Sequence, residues 1–238
     1  EVVVYNGTDE RLTARLGDDL PLVAANRPDS FHVAADGWVY RTGERLFERS
    51  ALGLLGRHNE GNLCVALAAV EAAGVDCFAQ RDALAAALGT YQPLDQRLTP
   101  IPDPSGLTFV DDSLSTIPQS AIFAIEAYAD RPLTVIIGGE DRGVDYGPLR
   151  EFLAAKQVTA TLIGIPDSGA AILDTVKDLP GITTVIAEDL VEAVGLSRSH
   201  TPAGGVVLLS PAAPSYGRFD NWQHRSRVFR EAITATAG

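Results

Sequence analysis

Gly106-Leu-Thr-Phe-Val-Asp-Asp-Ser-Leu-Ser-Thr-Ile-Pro-Gln-Ser120 passes within a few residues from an apolar strand, through paired carboxylates and hydroxyls, into a helix. Leu107 to Val110 has the β-branched and aromatic content of a buried strand, and Pro118 suits the first turn of a helix over 118–129. Asp111, Asp112, Ser113, Ser115 and Thr116 therefore fall at a strand's carboxyl end. In an open α/β sheet that edge is where ligands bind, because strand ends and helix amino ends direct polar groups into one crevice.

Downstream the alternation becomes regular. Strands are predicted at 133–137, 160–163, 183–187 and 206–209, and helices at 147–157, 168–178, 189–195 and 219–235. Such alternation implies a Rossmann-like, doubly wound, mostly parallel sheet covered on both faces. Upstream the pattern is mixed. Val2 to Tyr5 reads as a strand, the stretch to Ser30 is weakly patterned, and Phe31–Val33 and Trp38–Tyr40 flank an Asp36-Gly37 hairpin signal. His32 in that hairpin reads as an ordinary strand histidine, since no second metal ligand sits at useful spacing. Leu63, Leu67 and Val70 recur at helical spacing and Gly74 supplies a stop, while His58, Asn59 and Asn62 stand at the amino end, where asparagine caps well. A further helix, Arg81 to Leu88, leads to Gly89-Thr-Tyr-Gln-Pro93, a domain boundary by its Gly and Pro.

The 238 residues are 46% hydrophobic and 21% charged, ordinary values for a globular chain with a sizeable core. A formal charge of −12 argues against nonspecific binding to nucleic acid or an anionic membrane, so any phosphate must be held by a local site. Cys64 and Cys77 have no zinc-like spacing and no secretory signal opens the chain, which points to a reducing cytoplasm. No window has the apolar length of a transmembrane helix. The chain contains no methionine and opens directly on a core-like strand, so a piece of a longer protein is expected.

If the sheet is parallel, all its carboxyl-end loops share one edge. They are polar and glycine-rich: Asp111 to Thr116, then Gly138-Gly-Glu-Asp-Arg142-Gly, then Ser210-Pro-Ala-Ala-Pro-Ser215-Tyr. Glycines admit a ligand close to backbone amides, and Arg142 offers a fork suited to carboxylate or phosphate. There is no G-x-G-x-x-G and no G-x-x-x-x-G-K-[ST], and the two lysines, Lys156 and Lys177, lie on or near helices. The chain has no P-loop of its own for ATP phosphates.

In order, Gly-Arg-His58-Asn59-x-x-Asn62, Gln96-Arg97, Asp111-Asp112-Ser113-x-Ser-Thr116, Gly138-Gly-x-x-Arg142 and Leu-Leu-Ser210-Pro-Ala-Ala-x-Ser215 leading to Asn-Trp222 resemble the Mur ligases of peptidoglycan synthesis, most closely their glutamate-adding, MurD-like branch. The resemblance implies that residues 1–93 are the β-rich and helical tail of a central ATPase domain. Residues 94–238 would be the carboxy-terminal domain that binds glutamate. It implies an ATP-dependent ligase, acting through an acyl phosphate, that joins glutamate to UDP-N-acetylmuramoyl-L-alanine as a cytoplasmic monomer. His58, Asn59, Asn62, Arg97 and Asp112 would serve ATP, with the asparagines at adenine, Arg97 at the phosphates and Asp112 at the ribose. Thr116, Arg142, Ser215 and Trp222 would hold the glutamate. The catalytic lysine and the Mg2+ ligands would lie upstream, so no catalytic or metal-binding residue is assigned within the chain, and the piece alone would be inactive.

Three departures from the family pattern stand out. Leu114 replaces a lysine, Ile117-Pro118 replaces an asparagine, and Arg142 stands where a second lysine is usual. Arginine keeps the charge but demands planar geometry, so a reshaped pocket is expected. Such changes resemble a subgroup that adds L-glutamate, with D-glutamate left open. The competing readings are a folylpolyglutamate synthase-like ligase and a non-catalytic Rossmann-type binding module.

Overall fold

The computed structural model of the chain describes residues 2–17, 21–54 and 56–237. It divides into two compact units, Glu1–Pro93 and Leu94–Gly238.

In the first unit the elements are β1 (Val3–Asn6), α1 (Glu10–Thr13), β2 (Leu22–Ala25), β3 (Phe31–Val33), β4 (Trp38–Arg41), β5 (Glu44–Glu48), α2 (Arg57–Ala72) and α3 (Arg81–Gly89). β1 and β2 pair in parallel, while β3, β4 and β5 form an antiparallel meander. The Asp36-Gly37 turn forms as its sequence requires, with Gly37 at φ +80° and the Trp38 amide donating to Asp36 Oδ1 at 3.1 Å. His32 stacks on Tyr40 across the β3–β4 pair, with ring centroids 5.4 Å apart. Phe31, Val39, Leu46 and Phe47 from the meander pack with Leu63, Cys64 and Leu67 of α2. Both cysteines are buried and free, and burial pushes the Cys64 thiol up to about 12, which leaves it an inert packing group. Two expectations need correction. Val70 faces outward, and the α2 N-cap is Gly56 with no side-chain capping bond, so no asparagine caps this helix.

The second unit runs β6 (Thr99–Pro102), β7 (Thr108–Asp111), α4 (Pro118–Glu126), β8 (Leu133–Ile137), α5 (Gly147–Ala155), β9 (Ala160–Gly164), α6 (Gly169–Val176), β10 (Ile182–Ile186), α7 (Leu190–His200), β11 (Val206–Leu209) and α8 (Trp222–Thr236). Its six strands are ordered β10-β9-β8-β11-β7-β6, all parallel except β6, which runs antiparallel to β7. The period-2 alternation divides the strand residues between two cores. Val110, Val135, Ile137, Leu162 and Leu208 face α4, α5 and α6, whereas Phe109, Ile136, Ile163, Val207 and Leu209 face α7 and α8. The mostly parallel, doubly wound sheet is thus the one that the alternating apolar runs imply.

Three differences have local causes. β6 is Thr-Pro-Ile-Pro, and proline discourages a strand reading; it is tolerated because β6 is an edge strand. The side chain of Asp103, just beyond β6, is only 2% exposed and accepts a bidentate pair from Arg198 at 3.0 and 2.9 Å, which holds that edge to α7. Helix α7 continues through Gly195 to His200 because its buried face, Ala193, Val194 and Ser197, packs on the sheet. Helix α8 starts at Trp222, later than 219, since the Asn221 side chain caps it by accepting from the His224 amide at 2.8 Å.

The β8 loop is the most tightly constrained part of the sheet edge. The Gly138 amide donates to Pro211 O at 2.8 Å, the Glu140 amide to Pro214 O at 2.9 Å, and Gly139 exchanges bonds with Ser168. Gly138 and Gly139 hold φ +124° and +154°; a Cβ on Gly138 would lie 2.6 Å from Ile165 O, and one on Gly139 would collide with Pro214 O. Gly139→Ala should therefore destabilise the chain by about 2–3 kcal/mol, since strain and a backbone clash coincide. Gly195→Ala, where a Cβ meets nothing within 4 Å, should instead stabilise it by about 0.5–1 kcal/mol. Urea denaturation of both variants checks this, and a Gly139→Ala chain as stable as the parent would refute the packing described.

Candidate functional site

The order β8-β11-β7 brings three loops side by side, although β7 and β8 are consecutive in the chain and β11 is last. This strand insertion is the topological switch point of the sheet, and it collects Asp111 to Thr116, Gly138 to Arg142 and Ser210 to Tyr216 at one carboxyl edge. The convergence inferred from the sequence is present.

At the bottom of that edge lies a polar network that is buried except for the half-exposed Arg230. Asp111 Oδ1 accepts from the Ser113 amide at 3.2 Å and its hydroxyl at 2.7 Å, and Oδ2 accepts from Ser226 at 2.5 Å with Arg230 at 3.3 Å. Asp112 Oδ1 accepts from the Leu98 amide at 3.3 Å; Oδ2 accepts from the Ser210 hydroxyl at 2.9 Å and from the Ser115 hydroxyl. Arg225 of α8 is 0% exposed. Its Nη2 donates to Ser113 O at 2.8 Å and its Nη1 to Ala213 O at 3.1 Å, which joins the β7 and β11 loops through one planar group. Burial lowers the Arg225 pKa to about 10, against the opposing pull of Asp111 and Asp112, so the guanidinium stays charged at neutral pH.

The residues assigned to a dicarboxylic amino acid all belong to this edge. Thr116 is half-buried after β7, Ser215 is 5% exposed after β11, and Trp222 opens α8; the hydroxyls of Thr116 and Ser215 make no hydrogen bond among the described residues. Arg142 is exposed and paired with Glu140, and its guanidinium carbon lies 5.8 Å from the Tyr216 ring centroid. Ser215 and Tyr216 also line a cleft of about 220 Å³ whose apolar wall includes Ile165, Leu190 and Phe219.

The residues assigned to a nucleotide divide between the units. Arg97 and Asp112 are in the second: Arg97 is half-buried and its charge acts on Asp112, which is 1% exposed with both oxygens engaged inside the protein. In this conformation Asp112 fixes the 94–98 segment and the β7 loop to each other, and the Leu114 amide adds a bond to Gln96 O at 3.2 Å. His58, Asn59 and Asn62 occupy the first turns of α2 in the first unit, with Asn62 Nδ2 3.4 Å from Asn59 Oδ1. The carboxyl ends of β1 and β2 reach the same turns, because Asn26 Nδ2 bonds both Asn6 Oδ1 at 2.8 Å and Gly61 O at 3.3 Å. The sequence reading omitted Asn6, Asn26, Glu140, Tyr216 and Arg225. Arg225 had a signal: it breaks the apolar face of an amphipathic helix.

Burial raises the Asp112 pKa from 3.8 to about 6, although the Ser115 and Ser210 hydroxyls, Arg97 and the Leu98 amide pull it down. A carboxyl raised in the folded state favours folding most below about pH 4 and loses that contribution as pH rises through about 6. The shift corresponds to roughly 3 kcal/mol at most. Asp112→Asn, which does not titrate, should therefore gain stability relative to the parent chain between pH 4.5 and 7.5, by up to about that amount. Urea midpoints at pH 4.5, 6 and 7.5 measure it, and a pH-independent difference would show that the carboxyl titrates normally.

Comparison with known proteins gives the site its context. No family model matches the chain. Two proteins named UDP-N-acetylmuramoyl-L-alanine--L-glutamate ligase, from Salinispora tropica and a Micromonospora species, are each 57% identical over 242 aligned residues, covering 100% of this chain and 53% of the relative. One of the same name from Xanthomonas campestris is 37% identical over 97% of this chain and 49% of its own length. Among solved structures, MurF ligase from Thermotoga maritima in complex with ADP aligns over 99% of this chain and 53% of its own with TM-score 0.60 at 13% identity. A bifunctional folylpolyglutamate synthase/dihydrofolate synthase from Yersinia pestis aligns over 85% of this chain and 47% of its own, also with TM-score 0.60 and 13% identity. At such identity these two likenesses show the fold alone. Sequence similarity over its whole length and this shared fold agree: the chain, which spans about half the length of the curated relatives it matches, belongs to the Mur ligase family.

Proposed function

We propose that this chain is the part of an ATP-dependent ligase that receives glutamate and part of the nucleotide, in the joining of glutamate to UDP-N-acetylmuramoyl-L-alanine. The observation that carries this reading is the 57% identity, along the whole chain, to proteins named for that reaction. Residues 1–93 then belong to the central ATP-binding domain and residues 94–238 form the glutamate-binding carboxy-terminal domain. Cytoplasmic action as a monomer fits the charge and cysteine usage; among the described residues no helix is long and apolar enough to cross a membrane.

In the proposed reaction the γ-phosphoryl group of ATP passes to the terminal carboxylate of the alanyl substrate. The glutamate amine then attacks the acyl carbonyl, loses a proton, and expels inorganic phosphate as the amide bond forms. Little covalent chemistry falls to the protein, so positioning and charge neutralisation dominate. Arg142, with the Thr116 and Ser215 hydroxyls and the backbone at Trp222, holds the two glutamate carboxylates. Arg97 meets the phosphates, while Asn59 and Asn62, beside His58, match the adenine edge. Asp112 Oδ2 receives two hydroxyls from within the protein, the same donors that a ribose offers. Contact with ribose requires the 112–116 turn to open and exchange hydroxyl for hydroxyl. Among the described residues there is no group of three or more His, Cys, Asp or Glu side chains that could hold a metal ion, and the Mg2+ ligands are proposed to lie upstream.

In the full-length protein, Arg97→Ala should raise KM for ATP about ten- to a hundredfold, the cost of roughly 1.5–3 kcal/mol for removing one partner of a charged hydrogen bond, with glutamate KM little changed. A variant altered in glutamate KM alone would contradict the nucleotide role.

The stereochemical expectation is a preference for L-glutamate. A pocket fixed at both carboxylates aligns one enantiomer's amine with the acyl phosphate, and a displacement of about 1 Å can cost on the order of a hundredfold in rate. Phosphate release with UDP-N-acetylmuramoyl-L-alanine and each enantiomer in turn tests both reaction and preference. No glutamate-dependent release would sink the ligase reading; faster release with D-glutamate would reverse the stereochemistry and keep the ligase.

A further inference from the structure

Arg142 is less free than its exposure suggests. Its Nε donates to Glu140 Oε2 at 2.8 Å and its Nη2 lies 2.7 Å from the same oxygen, so Glu140 occupies the side-on edge of the guanidinium. The end-on edge, Nη1 with the second N–H of Nη2, has no partner among the described residues. Glu140 is itself anchored, because its amide is bonded to Pro214 O and the preceding glycine is wedged against that same carbonyl. Tyr216, adjacent to Ser215 in the β11 loop, places its ring centroid 5.8 Å from the guanidinium carbon. A turn closed by the Gly143 amide on Asp141 Oδ1, at 2.9 Å, fixes the Arg142 backbone.

Two elements thus triangulate one guanidinium, the β8 loop through Glu140 and the β11 loop through Tyr216. We propose that Glu140 and Tyr216 are positioning residues that aim the open end-on fork of Arg142 and thereby select the acceptor's carboxylate; this rests on the glutamate-ligase reading above. The chemistry is specific to arginine. A guanidinium has two usable edges, so one carboxylate can fix its direction while the other edge receives a second in a bidentate pair. A lysine at 142 would have no second edge to aim. The pairing with Glu140 also removes most of the net charge, so recognition depends on the fork's direction more than on attraction of any anion.

The test is a double-mutant cycle in the full-length protein, read as phosphate release with varied glutamate. Glu140→Gln keeps the side chain's shape and removes its charge. It should raise glutamate KM about tenfold while kcat and the KM for ATP stay within about twofold. In an Arg142→Lys background the same change should shift glutamate KM less than about twofold, because no fork remains to be aimed. Tyr216→Leu should raise glutamate KM about threefold, and Tyr216→Phe, which keeps the ring face, should not. If Glu140 instead competes with substrate for Arg142, Glu140→Gln would lower glutamate KM, and that result overturns the proposal. An unchanged KM, or an equal effect in both backgrounds, overturns it as well while leaving the ligase reading intact. Absence of glutamate-dependent release in the unaltered protein would remove the ligase reading and this inference together.

Discussion

The carboxyl edge of the second unit depends on one buried cation. Arg225 is completely enclosed, and removing a guanidinium from water costs several kcal/mol unless its N–H groups and its charge are answered. The charge is answered by Asp111 and Asp112, and Nη1 and Nη2 donate to the carbonyls of Ala213 and Ser113, while Nε has no hydrogen-bond partner among the described residues. Each of those acceptors belongs to a different loop, so the desolvation of one side chain can be offset only when the β7 and β11 loops are both in place. Gly139, whose Cβ position would lie 3.2 Å from Arg225 Nη1, brings the β8 loop into the same arrangement. The geometry of the outer edge, where half-buried Thr116, buried Ser215 and exposed Arg142 stand, is inherited from this core of polar groups.

Such a network is strong in one sense and costly in another. Removing a partner strands a buried charge, which is worse than never having had the pair. Asp112 illustrates the balance: three donors surround it, yet desolvation still holds its carboxyl near pH 6. A fully apolar core would be cheaper in stability terms, but it would not fix loop positions by directional bonds. At a sheet edge whose loops must present hydroxyls and a guanidinium in one arrangement, directionality is the useful property.

The sheet was legible in the sequence because its strands are short apolar runs of β-branched residues separated by amphipathic helices, and both periods leave clear traces. What escaped was governed by tertiary context. The prolines of β6 are admissible at an edge that only the assembled sheet defines, and Gly195 is carried through α7 by the packing of its neighbours. The site was legible to the extent that its residues lie in glycine- and serine-rich loops immediately after strands. Asp112, Thr116, Arg142 and Ser215 were singled out as candidates in that way. Glu140 and Tyr216 were passed over because their significance is a distance to Arg142, which no spacing in the chain encodes. Asn6 and Asn26 lie some twenty residues apart and meet only because β1 and β2 are parallel.

The net charge of −12 sets a condition that the proposed chemistry must meet, since ATP, the uridine-linked substrate and glutamate are all anions. The chain itself offers them no long-range attraction, because its mean field repels them and is screened beyond about 8 Å at physiological ionic strength. In the proposed reaction, capture would therefore fall to local groups: Arg97, Arg142 and the backbone amides of glycine-rich turns. An unpaired cation would meet that need with little discrimination, since phosphate, nucleotide and amino acid would all be drawn to it. An arginine whose charge is largely met by a neighbouring carboxylate, but whose outer N–H pair keeps its direction, exchanges attraction for geometry. For a protein that would handle three anions at once, assigning each to its own place matters more than the strength with which any one is held.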